Sequence, residues 1–274
     1  MAIRAGNVLA AVAAFVVLIG MACSNNSDEE VAPPPLVQAK STVAPTIGIW
    51  QPAIGTSWQW QINTGDIDIS FNVSADLVSR LHAQGRNVIC YMNAGSWEEW
   101  RPDVKEFPGE ALGKVYDGWE GERWLDIRNI DALAPTMRAR LDLCTEKGFD
   151  AIEPDNIDGY TNDTSFPLTY NDQLMFNQWL VDEAHQRGLS IGLKNDAEQA
   201  SDLVDYFDWA LTEDYVVEGW CTDMAPFLEG GEAVFTAEYT DTGVLLAKAC
   251  GEGDALGLSV ILEDRELDAK REAC

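Results

Sequence analysis

Three stretches of this chain repeat one order of local signals, and that repetition limits the fold more than any other feature. Residues 77–93 read LVSRLHAQGRNVICYMN, residues 137–156 MRARLDLCTEKGFDAIEPDN, and residues 179–195 WLVDEAHQRGLSIGLKN. Each runs from an amphipathic helical pattern through a glycine (Gly85, Gly148, Gly188) into a short apolar strand and a polar end. Glycine suits a helix C-terminus because the left-handed backbone there brings it no Cβ clash. Near-continuous apolar strands alternating with helices belong to a parallel sheet covered by helices. To VICYM, DAIEP and SIGLK the chain adds strand candidates at 207–212 (FDWALT), 233–237 (AVFTA) and 256–262 (LGLSVIL). Upstream, 58–62 (WQWQI) and 67–71 complete the set. About eight such strands in one domain predict an α/β fold, a (β/α)8 TIM barrel. A doubly wound open sheet is the structural alternative, weakened because no GxGxxG or P-loop follows the first strand. Only Asn63 to Asp66 separate the first two strand candidates, too few for a parallel crossover. The N-terminal strand region of the barrel is therefore expected to be abbreviated.

The barrel candidate occupies residues 46–274. Residues 1–22 read as an export signal: Arg4 precedes an apolar run from Val8 to Ile19, then Gly20-Met21-Ala22-Cys23. That run is too short for a comfortable transmembrane helix. The small residue before Cys23 resembles a bacterial lipoprotein signal, in which Cys23 is lipidated and holds the protein to a membrane. Ordinary cleaved secretion and an uncleaved anchor are the alternatives. Residues 23–45 are polar and then Pro-rich (Pro33, Pro34, Pro35), a composition that reads as a disordered tether. Export permits disulfides. Excluding Cys23, five cysteines remain, so at least one stays free; Cys90, in an apolar strand, reads as a buried thiol. A pair among Cys221, Cys250 and Cys274 is expected.

Charge narrows the chemistry. Asp and Glu number 46 against 18 Lys and Arg, for a formal charge of −28, and there are two histidines. Nucleic acid is excluded as a partner, because phosphate contact needs a basic footprint. A His-rich metal site is excluded too, and no cofactor is indicated. His82 and His185 occupy equivalent helix ends, where the helix dipole accounts for them. Acid–base work falls to carboxylates.

Barrel chemistry sits at the carboxyl ends of the strands, and here those ends carry acids, amides and aromatics. Any one of them could be ordinary loop polarity; the collective pattern is not matched at the opposite ends. Asp155 and Glu213 follow alternate strands and can lean over one mouth from opposite sides, as two carboxylates flanking a glycosidic bond do. Trp60, Tyr91, Asn93, Glu153, Asn156, Asp158, Lys194, Asn195, Tyr215 and Glu238 are the expected substrate-binding residues. Trp97 and Trp100, in GSWEEWRPD, suit a cleft where sugar faces stack.

The runs WQWQI, GRNVICYMNAGSWEEWRPD, GERWLDIR, GFDAIEPDNIDGY, DQLMFNQWLVDEAHQRGLSIGLKND and FDWALTEDY together resemble glycoside hydrolase family 114, TIM-barrel proteins of the endo-α-1,4-polygalactosaminidase type. The resemblance covers residues 48–274. It implies hydrolysis of an α-1,4-linked galactosamine polymer, with the family's catalytic aspartate at Asp155 and its catalytic glutamate at Glu213. The chain departs from the family in its short second-strand region and in Thr212-Glu213-Asp214, where N-E-Q is usual. The expectation is an endo-acting, retaining glycosidase: Asp155 as nucleophile and Glu213 as acid and base, kept protonated near neutral pH by repulsion from its partner. The partner would be a cationic polysaccharide. The alternatives are a glycan-binding surface lipoprotein without activity and a glycosidase for another α-linked sugar.

Overall fold

A computed structural model describes residues 48–61, 73–219, 222–267 and 270–274. The export signal, Cys23, the tether, the strand expected at 67–71 and Cys221 lie outside the described residues.

Seven strands form the main sheet, in the order β1 (Ile89–Asn93), β5 (Ala151–Asp155), β6 (Ser190–Lys194), β7 (Trp209–Glu213), β8 (Val234–Tyr239), β9 (Ser259–Glu263) and β10 (Arg271–Ala273). All neighbouring pairs are parallel except β9 with β10. Helices α1 (Ala75–His82), α2 (Ile130–Lys147), α3 (Tyr170–His185), α4 (Ala200–Leu203), α5 (Tyr215–Glu218), α6 (Ala225–Gly230) and α7 (Leu246–Leu256) separate the strands. The architecture is that of a (β/α)8 barrel. Residues 58–61, expected as a strand, take no place in the ladder; Trp58 Nε1 instead donates to the carbonyl of Ser259 at 2.8 Å.

Strand alternation divides the core in two. Trp60, Ala151, Trp209, Leu211, Phe235, Ala237, Tyr239 and Ile261 pack together inside the barrel. Their neighbours in sequence, including Ile152, Ala210, Val234 and Val260, join the larger core against the helices. Gly192 is required where it stands, because a Cβ would come within 2.4 Å of the Trp209 ring.

The helix-to-strand ends repeat one clasp. His82, last residue of α1, meets Asp150 at 2.9 Å, and Asp150 accepts the Val88 N–H. His185, last residue of α3, meets Asp208 at 2.9 Å, and Asp208 accepts the Ile191 N–H. Both histidines thus tie helix ends to strand starts, remote from the strand mouths.

One sequence expectation is corrected. Cys90 is disulfide-bonded to Cys144, Cα atoms 6.1 Å apart: Cys90 faces outward from β1 toward α2, which presents Cys144. The pairing expected late in the chain is Cys250–Cys274. Residues 96–125, which carried no strand signal, hold an antiparallel sheet in the order β2 (Ser96–Glu98), β4 (Glu122–Leu125), β3 (Leu112–Val115).

Candidate active site

Several strands run one residue further than their apolar segments indicate, so Asn93, Asp155 and Glu213 are the last residues of β1, β5 and β7. In β5 and β7 that residue is also the last to face the barrel interior. The next residue then enters the left-handed region: Asn156 at φ 60°, Asn195 at 54° after Lys194, and Asp214 at 51°. Asn and Asp tolerate that conformation better than other residues with a Cβ. Each turn swings the following chain away and leaves the strand-terminal side chain over the mouth.

Lys194 is the centre of this group. Its ammonium, 3% exposed, lies 2.9 Å from Asp155 Oδ1, 2.7 Å from Glu213 Oε2 and 3.9 Å from Glu153 Oε1. Trp60 forms the floor: its ring lies 4.9 Å from the ammonium, and its N–H donates to Glu153 Oε2 at 3.0 Å. It is buried and supports the site rather than offering a stacking face.

Glu153 and Asp155 differ in state. Burial pushes Glu153 up to about 8, against the pull of Lys194 and with the push of Asp155 and Glu213; it is the neutral member near pH 7. Burial also opposes ionisation of Asp155. The Lys194 charge, a hydrogen bond from Lys194 and one from the Tyr91 hydroxyl (2.8 Å) outweigh it and hold Asp155 below the usual carboxylate range. Glu213 accepts from Lys194 and from Asn195 Nδ2 (3.1 Å) at one oxygen, and from the Tyr239 hydroxyl at the other. Asn195 Oδ1 accepts the Glu213 N–H at 3.0 Å in return. The expected repulsion between Asp155 and Glu213 is thus interrupted, because an ammonium stands between them.

A second group of polar residues adjoins Asp155 on the side of the inserted sheet. Asn93 Nδ2 and the Ser96 hydroxyl both donate to Glu122 Oε2, at 3.2 and 2.6 Å, and Asn156 Nδ2 donates to Ser96 at 3.3 Å. Gly95 permits this junction: a Cβ there would fall 1.6 Å from the carbonyl oxygen of Asn156. Glu122 faces Glu98 across the β2–β4 ladder. Burial raises Glu122 to about 7, and the charges of Glu98 and Asp155 add to it, against hydrogen bonds from Ser96 and Asn93. Glu98 is bound by Arg101 instead. Further along the rim, burial raises Asp158 to about 6, with Asp155 adding to it. Trp100 and Trp119, 53% and 59% exposed, stand on the inserted sheet's loops.

The structure therefore gathers Asp155, Glu213, Lys194, Asn195, Tyr91, Glu153 and Trp60 into one group, with Asn93, Asn156 and Asp158 beside it. It sets two expected residues apart. Glu238 faces outward from β8, its Oε1 accepting the Val216 N–H at 3.0 Å. Tyr215 is turned into the helix layer after Asp214, its hydroxyl spent on the Ala249 carbonyl at 2.8 Å. Both are corrected as mouth residues. Tyr239 and Ser96 lie in the strand-end runs but are not among the expected binding residues, and sequence reading missed Glu122. Strand parity counted from Phe235 through Ala237 points to Tyr239; no local signal marks Glu122.

Paired carboxylates at the carboxyl ends of alternate barrel strands, with amides and aromatics around them, define the class: a glycoside hydrolase. The model of glycoside hydrolase family GH114 matches residues 39–274, and the chain belongs to that family. Among solved structures it is similar to Aspergillus fumigatus Ega3 in complex with galactosamine, at 32% identity and a TM-score of 0.75 over 82% of this chain and 97% of that one. The glycoside hydrolase domain of PelA from Pseudomonas aeruginosa shares the fold at 11% identity and a TM-score of 0.56, over 73% and 87% of the two chains. No curated protein sequence matches.

Proposed function

We propose that this enzyme cleaves α-1,4-linked galactosamine-containing polysaccharide within the chain and with retention at the anomeric centre. One observation carries the reading: Asp155 and Glu213 bind the same ammonium, at 2.9 and 2.7 Å. Two oxygens so held cannot be further apart than those distances together. For these nearest oxygens the span is compatible with the roughly 5–5.5 Å between the carboxyl groups of retaining enzymes. Membership of the family and likeness to a structure holding galactosamine support the sugar class.

In this mechanism Asp155 attacks the anomeric carbon, and the bond to the leaving oxygen breaks as Glu213 gives that oxygen a proton. Water then attacks the glycosyl carbon, Glu213 takes its proton, and the carboxylate of Asp155 departs. Tyr91 and Lys194 fix the Asp155 oxygens for attack. In the resting site Lys194 and Asn195 both donate to Glu213 Oε2 and leave that oxygen no room for a proton. Substrate entry that moves Lys194 wholly onto Asp155 frees it, and the freed oxygen takes from solvent the proton that it then gives to the leaving oxygen. Glu153, neutral beneath them, keeps the ammonium from being shared among three anions.

The test is release of reducing ends from a panel of deacetylated and acetylated polymers, galactosamine-based and not. Cleavage of the galactosamine polymer, abolished in Asp155→Asn and Glu213→Gln, is the expected result. Wild-type rates in both variants would refute the assignment, and preference for another α-linked sugar would refute the substrate. No helix among the described residues is long and apolar enough to cross a membrane. We further propose that the N-terminal leader exports the chain and that Cys23 carries its lipid; a Cys23→Ser chain should then leave the membrane fraction.

A further inference from the structure

Beyond Asp155 the acids continue along the rim without cations to meet them. Among the described residues, Asp158, Asp196 and Glu198 take part in none of the ion pairs, which elsewhere engage Asp103, Asp126, Asp142, Glu183 and others. Asp196 is the most deeply placed, 4% exposed. Its Oδ2 is held by Asn177 Nδ2 at 2.9 Å, and Asn177 is in turn fixed by Gln173 Nε2 at 2.9 Å. Both amides lie on α3, four residues apart and fully buried. The other oxygen, Oδ1, has no hydrogen-bond partner. The nearby Tyr160 hydroxyl donates to Glu198 at 3.1 Å and, close to Asp196 as well, pulls the titration of Asp196 down. A buried polar oxygen left unmet costs on the order of 1–3 kcal/mol, so a carboxyl group clamped on one side and open on the other is set up for a ligand.

Resting on the galactosamine reading above, we propose that Asp196, with Asp158 and Glu198, is a subsite that binds the ammonium group of a hexosamine unit neighbouring the one cleaved. The position fits: Asp196 follows Asn195, which bonds Glu213, and Asp158 lies three residues beyond Asp155, close enough to feel its charge. Tyr160 and Tyr170, edge to face at 5.5 Å, stand at the same place; aromatic faces attract cations and stack on sugar rings. A metal ion fits less well, since among the described residues no three acids, cysteines or histidines converge as a coordination set. A neutral acetamido group brings no charge to Oδ1. Burial and the charges of Asp158 and Glu198 push Asp196 up to about 9, against hydrogen bonding from Tyr160 and Asn177, so an arriving ammonium displaces its proton to solvent.

The experiment measures equilibrium binding of a galactosamine oligomer and of its fully N-acetylated counterpart, in a Glu213→Gln background that stops turnover. Asp196→Asn and Asp158→Asn are each expected to weaken the galactosamine oligomer by roughly tenfold or more, the loss of a hydrogen bond to a charged group. Binding of the N-acetylated oligomer should stay the same. Equal loss for both ligands, or for neither, would overturn the subsite. Thermal melting verifies the fold, and Glu198→Gln replaces Asp196→Asn if that variant does not fold. Hydrolysis of the same oligomer by the wild-type chain is scored separately. Cleavage with unchanged affinities removes the subsite and leaves the activity; selective loss of affinity without cleavage does the reverse.

Discussion

Two groups of acids share the mouth of this barrel, and their surroundings differ in one respect. Asp155 and Glu213 are bound to Lys194, which rises from the strand between theirs. Asp158, Asp196 and Glu122 form no ion pair among the described residues: amides, hydroxyls and other acids surround them, and Lys194 acts on Asp158 only at a distance. The first group is arranged so that charge is held in the resting protein. The second is arranged so that charge is withheld until a cation arrives. A site that cleaves a cationic polymer needs both: fixed carboxylates where bonds change, and responsive ones where the substrate's amines lie.

The largest effect expected from breaking this contrast is on turnover. Glu213→Gln removes the proton donor and should lower kcat by roughly 10²–10⁴, the worth of a positioned general acid, with melting temperature little changed. Lys194→Met strikes the same group differently. It strands two carboxylates around a buried site, and equilibrium unfolding in denaturant should show a loss of about 3–5 kcal/mol. The rim acids, having no cation to lose, are predicted to show no such cost when replaced by their amides.

The pH dependence of stability separates the groups by sign. Asp155 is held below its unfolded value, so its contribution is present above the usual aspartate pKa and is lost as pH falls through the folded one. Asp158, Asp196 and Glu122 are raised, to about 6, 9 and 7. Their contribution is present below their unfolded values of about 4 and is lost as pH rises through the folded ones. The ligand-free melting temperature should therefore decline between pH 5 and pH 9, and a galactosamine oligomer should flatten the decline. A melting temperature that climbs across that range would contradict the contrast. The smallest effects belong to Tyr215→Phe and Glu238→Gln, which face the helix layer. KM should not change; stability should fall by about 0.5–1.5 kcal/mol in Tyr215→Phe for the lost hydrogen bond, and by less in Glu238→Gln, whose amide oxygen still accepts the Val216 N–H.

The legible part of the site was the part set by strand ends. Asp155, Lys194, Asn195, Glu213 and Tyr91 lie at or next to the end of an apolar run, and the repeated αβ unit places such ends together. Glu238 and Tyr215 were misassigned for a related reason. AVFTA stops two residues before β8 does, so the inward face is reached at Tyr239 rather than at Glu238. The pairing of Glu122 with Ser96 could not be read, because β2 and β4 are three and four residues long and their register is set by pairing across 26 positions. The Cys90–Cys144 bond was hidden likewise: it depends on which helix covers the outer face of β1, not on either residue's local surroundings. The short N-terminal strand region, expected from residues 62–67, falls outside the described residues.

The central claim is that Asp155 and Glu213, drawn together on Lys194, act as nucleophile and acid on an α-1,4-galactosamine chain. Proton NMR of the first sugar ends released from that polymer tests it most directly. The α-anomer should appear first and mutarotate afterwards. Initial release of the β-anomer, or an intact polymer after prolonged incubation, would contradict it.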